Sequence, residues 1–181
     1  MLLDIIQIGD PVLRRKAHKI NRPDGLIRKL AEDMLETMRE TNGVGLAAPQ
    51  IGESIRLIVV EYPENDEEED SPLKAYKLVN PEIIWRSEET VVGMEGCLSV
   101  KGLMGEVERA ESIKLRALSV HGRPLNISAS GWLARIFQHE IDHLDGVCYV
   151  DRATQVWEMT DSEEGEEEEA ENGIDLEETE A

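Results

Sequence analysis

His139-Glu140-Ile141-Asp142-His143 sets two imidazoles four residues apart with a glutamate between them. On a helix this spacing puts both rings on one face, where they can grip a single metal ion, and leaves Glu140 free as a base. A second segment, Glu95-Gly96-Cys97-Leu98-Ser99, offers a thiolate that could complete a three-ligand set. Two His and one Cys leave the fourth coordination position open. A third segment runs from Gly43 to Gln50. Its glycines let the backbone bend, and the Gln50 amide is a neutral donor suited to a polarised carbonyl. With that position open, the metal would acidify bound water. Glu140 could take a proton from that water and, were the reaction the cleavage of an amide, pass it to the departing nitrogen.

Each piece also has a plainer explanation. Chance supplies HExxH on ordinary helices, a lone Cys is usually a small buried hydrophobe, and Gln50 follows Pro49 as a turn residue would. Cys148 raises a competing arrangement, because Cys97, His139, His143 and Cys148 would make a closed structural site with no catalytic role. Cys148 lies past Gly146 in the β-like run Val147-Cys148-Tyr149-Val150, where an ordinary buried side chain is the simpler expectation. Asp142 and Glu95 are candidates to orient a ligating imidazole through its other nitrogen, although a solvated helix residue is an equal reading of Asp142. Trp132 and Ile136 share the helical stripe of His139 and His143 and could wall a pocket, or simply be core. His18 and His121 have no partner pattern and are read as non-functional.

These three segments, in this order and at these spacings, resemble the peptide deformylases, metallo-amidases that remove the formyl group from the N-terminal methionine of new proteins. The likeness runs from about Ile6 to Arg152, with Gly9-Asp10-Pro11-Val12-Leu13-Arg14 and Gln138 as supporting pieces. It implies a single α+β domain of antiparallel strands packed around a central HExxH helix. The metal would sit on Cys97, His139 and His143, with Glu140 as general base and acid. Gln50 and the Leu98 backbone N–H would be donors to the oxyanion. Val44 and Gly45 would pair with the peptide backbone, and Arg109 would pair with Glu95. Fe²⁺ is the favoured ion, with Zn²⁺, Ni²⁺ or Co²⁺ as substitutes. Formyl-Met nascent peptides would be the substrates, and cleavage would release formate. Val100-Lys101-Gly102 departs from the family, which often has proline before the glycine. A different HExxH peptidase is the alternative enzyme, but its third ligand would ordinarily be His or Glu. A non-catalytic binding relative is the third reading, against which all the reactive positions are intact.

The elements that must carry these residues follow from periodicity. Asp24 can cap a helix whose apolar residues Leu26, Ile27, Leu30, Met34 and Met38 recur at helical spacing, ending at Asn42-Gly43. Ile55 to Val60 reads as a buried strand, and Leu78 to Trp85 as another with a bend at Asn80-Pro81. Ile113, Leu115 and Ala117 alternate with more polar residues before a hairpin at His121-Gly122 that returns through Leu125 and Ile127. Ser128 or Ser130 can start the second helix, which Gly146 ends. A short helix near Met159 is a further expectation.

At 181 residues, one domain over 1–157 with an acidic, disordered tail over 158–181 is expected. Residues 158–181 hold 13 acidic side chains and 61–70 hold 7, with no Lys or Arg in either, which together equal the whole net charge of -20. The remaining body is therefore balanced, and the acidity predicts solubility and repulsion from nucleic acid rather than sequence-specific binding to it. Some deformylases are thought to approach the ribosome through a basic C-terminal helix, whereas this chain carries the opposite charge there. Transient ribosome association is the residual expectation. Two cysteines give no disulfide framework, and no apolar run approaches the ~18 residues of a bilayer span. The expected location is cytoplasmic, with no membrane partner.

Overall fold

A computed structural model describes residues 1–159. Asp24 begins the first helix as expected: its carboxylate accepts from the N–H groups of Leu26 and Ile27, and helix α1 runs Gly25–Glu40. Asn42 follows in the left-handed region at φ 51°, which Asn tolerates better than most residues. Ala31, Met34, Leu35 and Met38 form the buried face of α1, while Leu26, expected on the apolar stripe, is 77% exposed. It sits in the first turn of the helix.

The strands form two antiparallel sheets. The first contains β1 (Gly45–Ala47), β2 (Leu57–Pro63), β3 (Leu73–Arg86), β6 (Ser112–Ser119) and β7 (Pro124–Ser130), in the order β1-β2-β3-β6-β7. The second contains β4 (Thr90–Cys97), β5 (Val100–Ala110) and β8 (Gln155–Glu158), in the order β4-β5-β8. Helix α2 spans Gly131–Leu144. Alternation along β2 explains its continuous apolar run: Ile58 and Val60 join the core around α2, while Leu57 and Val59 join the core under α1. Both faces of that strand are thus covered by helices. Asn80 takes φ 51° at the expected bend, where the β3–β6 register slips between Val79 and Glu82.

Within α2 every residue from Ala134 to Leu144 is buried, although six of them are charged or strongly polar. Phe137, Ile141 and Leu144 pack with Ile58, Leu115 and Ile113. Val100, Val107 and Tyr149 form a smaller core beneath the three-stranded sheet. This is the α+β arrangement expected, with the histidine helix at its centre.

Three expectations are corrected. Val147 to Val150 is no strand, because Tyr149–Asp151 forms a 3-10 turn with the Asp151 carboxylate accepting from the Cys148 N–H. The chain before Met159 is a strand rather than a helix, since Gln155–Glu158 pairs with Leu103–Glu106. That pairing takes Glu158 into the sheet, one residue past the expected boundary at 157. The rest of the expected tail, from 160 onward, lies outside the described residues. No helix among the described residues is long and apolar enough to cross a membrane.

Candidate active site

The two sheets meet helix α2 along one cleft of about 910 Å³. Val44, Gly45, Gln50, Cys97, Leu98, Trp132, Ile136, His139 and Glu140 all line it. His143 lies deeper, fully buried one turn on from His139. Cys97 comes from the end of β4, where the β4–β5 register shifts between Glu95 and Cys97 and turns the thiol toward the helix.

Ligand atoms of Cys97, His139 and His143 lie within 4.8 Å of one another. Cys97 Sγ stands 3.3 Å from His143 Nε2, slightly closer than the about 3.5 Å of two donors sharing a tetrahedral ion. His139 Nδ1 is 2.8 Å from Glu95 Oε2 and donates to that carboxylate, which leaves Nε2 as the nitrogen that faces a metal. Burial first, and then the neighbouring cations, hold His143 well below the usual histidine range, so it stays neutral as a ligand must. Burial disfavours the His139 cation, but hydrogen bonds to Cys97 and Glu95 outweigh it and raise the group to about 10. A metal taking Nε2 competes with that proton. The donor set therefore fits one divalent ion. Cys148 is fully buried and stands outside this group, and burial pushes its thiol up to about 11. The closed four-ligand site is not formed.

Glu140 lies beside the ligands, and burial pushes its carboxyl up to about 7. Its Oε2 is buried without a hydrogen-bond partner, on a residue that lines the cleft. Gly45 makes this placement possible: a β-carbon there would come within 2.8 Å of Glu140 Cδ. Gln50 follows β1 in a 3-10 turn, Ala48–Ile51. Its Oε1 accepts from the Ala47 N–H at 2.8 Å, which turns Nε2 toward Cys97 Sγ at 3.4 Å and Ser99 Oγ at 3.2 Å. That contact fixes which end of the amide faces the ligands.

Glu95 is the hub behind the site. Arg109 grips it with two bonds of 2.9 Å, and both residues are buried, so the pair is no surface ion pair. Burial opposes ionisation of Glu95, but hydrogen bonds from Arg109 and His139 hold its carboxyl well below the usual range. Asp142 departs from expectation, since it accepts from Arg109 at 2.5 Å and from Arg152 at 2.6 and 2.8 Å rather than from a ligand imidazole. Its carboxylate steadies Arg109 instead. Removing one member of a buried charge network of this kind costs roughly 3–5 kcal/mol.

The proposed substrate contacts are also placed. Val44 is 53% exposed at the cleft, and its carbonyl already accepts from the Glu61 N–H. Among the described residues β1 pairs only with β2, leaving an edge toward the cleft. Ile136 is buried in the cleft wall, whereas Trp132 is half exposed at the rim, its ring 5.5 Å from the Arg135 guanidinium carbon.

A family model described as Polypeptide deformylase matches residues 2–158. The chain belongs to the polypeptide deformylase family. A peptide deformylase of Dictyoglomus thermophilum is 49% identical over 155 residues, covering 86% of this chain and 95% of the relative. One from Thermus thermophilus is 51% identical over 160 residues, covering 84% and 82%. Among solved structures, the Thermotoga maritima peptide deformylase aligns with a TM-score of 0.77 at 39% identity, over 86% of this chain and 99% of that one. The Acinetobacter baumannii class I type b peptide deformylase, solved with Met-Ala-Ser bound, aligns with a TM-score of 0.77 at 40% identity, over 84% and 98%. The family is metal-dependent, in keeping with the Cys-His-His donor set.

Motif reading missed Arg135, Arg152, Ser99 and Tyr149. Tyr149 stacks on His139 with ring centroids 5.9 Å apart and donates its hydroxyl to the Leu103 carbonyl. Arg135 left a readable signal, since it stands four residues before His139 and eight before His143, a charge on the buried stripe.

Proposed function

We propose that the protein hydrolyses the N-formyl group of formyl-methionine at the start of nascent polypeptides, releasing formate and a free amine. The observation carrying this is Glu140, buried and unpartnered, beside the convergent donors Cys97, His139 and His143 in a chain of the deformylase family. A divalent ion held by those three donors supplies Lewis acidity and acidified water. Glu140 takes a proton from the attacking water and delivers it to the methionine nitrogen as the C–N bond breaks. Water thus provides the oxygen of formate and the proton of the new amine. Gln50 Nε2 and the Leu98 N–H donate to the formyl oxygen as it gains charge.

The free edge of β1 at Val44 and Gly45 suits pairing with an extended peptide, and Ile136 with Trp132 suits an apolar first side chain. Formyl is the smallest acyl group, and Gly45, Gln50 and Glu140 crowd the space beside the ligands, which supports exclusion of acetyl. Fe²⁺ is the ion we favour, on the family likeness and on a mixed thiolate and imidazole set that also accepts Zn²⁺, Ni²⁺ or Co²⁺. The cytoplasm, where formylated chains are made, is the proposed place of action.

The test is amine release by protein purified without air and loaded with Fe²⁺, since a thiolate-bound site is open to oxidation. Release from formyl-Met-Ala-Ser with none from acetyl-Met-Ala-Ser is expected. Equal cleavage of both would point to a general amidase, and no release from either would sink the proposal.

A further inference from the structure

Arg135 is buried on α2 one turn before His139. Its Nη1 donates to Glu95 Oε1 and to the Val107 carbonyl, each at 2.9 Å, and its Nη2 donates to the Val91 carbonyl at 2.7 Å. One side chain therefore ties the helix bearing both histidines to β5, to β4, and to the carboxylate that holds His139.

The acceptor sites of Glu95 show why this matters. A carboxylate offers about four lone-pair sites. Oε1 accepts from Arg109 Nε and Arg135 Nη1, while Oε2 accepts from Arg109 Nη2 and His139 Nδ1. All four sites are filled. With Oε1 held by two guanidiniums the group cannot rotate, and Oε2 stays on His139. A second, independent observation lies in β4. A β-carbon at Gly93 would stand 2.9 Å from Arg135 Cζ and 3.0 Å from Nη2. Gly93 is not among the glycines with positive φ, so the glycine serves to let the guanidinium pass rather than to permit a turn.

We infer that Arg135 is a positioning residue of the metal centre: through Glu95 it fixes the orientation of His139, and through the Val91 and Val107 carbonyls it sets the strand carrying Cys97 against the helix carrying His139 and His143. The inference rests on the metal-binding reading above and concerns ligand placement rather than the reaction.

Co²⁺ titration of the full chain against a competing chelator, with the visible spectrum of the bound ion and thermal stability recorded together, tests it. Arg135→Met is expected to weaken Co²⁺ binding about 10- to 100-fold, the usual effect of removing a group that supports a ligand, and to shift the absorption bands. Gly93→Ala keeps every charge yet pushes the guanidinium aside, and should move both readouts in the same direction by a smaller amount. Arg135→Lys should rescue only in part, because an ammonium cannot fork to three acceptors in fixed directions. A purely architectural role would lower thermal stability while leaving spectrum and affinity at the wild-type values. That result in Arg135→Met and Gly93→Ala overturns the inference. Should Arg135→Met fail to fold, the same result in Gly93→Ala and Arg135→Lys does so. A wild-type chain that takes up no Co²⁺ at Cys97, His139 and His143 would remove the metal reading itself, an outcome distinct from unchanged variants.

Discussion

Gln50 shows how a residue ambiguous in sequence gains its meaning from one contact. After Pro49 it could have been a turn residue, and it does sit in a 3-10 turn. The Ala47 N–H takes its oxygen, however, so the amide nitrogen faces Cys97. On this geometry Gln50→Ala should lower kcat by about 10²–10³ with little change in KM, because the donor is strengthened by charge present only in the transition state. Steady-state kinetics with a formyl-Met peptide decide it, and a rise in KM alone would recast Gln50 as a substrate-binding residue. His139, Glu140 and His143 stand out in the sequence by their spacing, whereas Cys97 joins them only through the Glu-Gly-Cys-Leu-Ser segment that resembles the family's. The supporting shell is only half legible: Glu95 pairs with Arg109 as expected, whereas Asp142, open to two readings, is neither an imidazole partner nor a solvated residue but an acceptor for Arg109 and Arg152. Nothing in sequence separation tells which of two carboxylates faces a ring nitrogen.

Among elements, legibility tracked the cleanness of the pattern. Helix α1 announced itself through the Asp24 cap and its apolar stripe, and β6 with β7 through alternation and the turn at Gly122, where φ is 78°. Strands β4 and β5 passed unassigned. Their sequences, Thr-Val-Val-Gly-Met-Glu-Gly-Cys and Val-Lys-Gly-Leu-Met-Gly-Glu-Val-Glu-Arg-Ala, mix glycines and charges whose reasons are tertiary. Gly96 would place a β-carbon 2.8 Å from Met104 Sδ, and Gly105 one 2.9 Å from Tyr149. Helix α2 gave its start, its end and its histidines, but an amphipathic reading could not show that Ala134–Leu144 is buried all round. Phe137 anchors that helix, fully buried and edge-on to Tyr76 with ring centroids 5.2 Å apart. Phe137→Ala should therefore cost about 3–5 kcal/mol of unfolding free energy, read from denaturant titration. A loss below about 1 kcal/mol would mean that α2 is held chiefly by its polar network rather than by its apolar packing.

At the scale of the whole molecule, charge is concentrated at the C-terminal end of the chain. Residues 160–181 carry 12 acidic side chains and no basic one. Their net effect should be to repel a polyanion, and deleting them should tighten ribosome binding at low salt, with the difference fading as ionic strength rises. Sedimentation with ribosomes across a salt series checks this, and equal binding at every salt concentration would show the segment to be electrostatically silent. The fold as a whole serves one arrangement: two sheets, with the 3-10 turn after β1, deliver Gly45, Cys97 and Gln50 to a buried helix that supplies two imidazoles and one carboxylate. That arrangement is tested most directly by Glu140→Gln, a near-isosteric change that leaves the three donors in place. The predicted result is metal content equal to the wild type, with formate and amine release from formyl-Met-Ala-Ser reduced by at least about 10²-fold. Full metal occupancy with undiminished release would contradict it, because the proton would then be carried by some group other than Glu140.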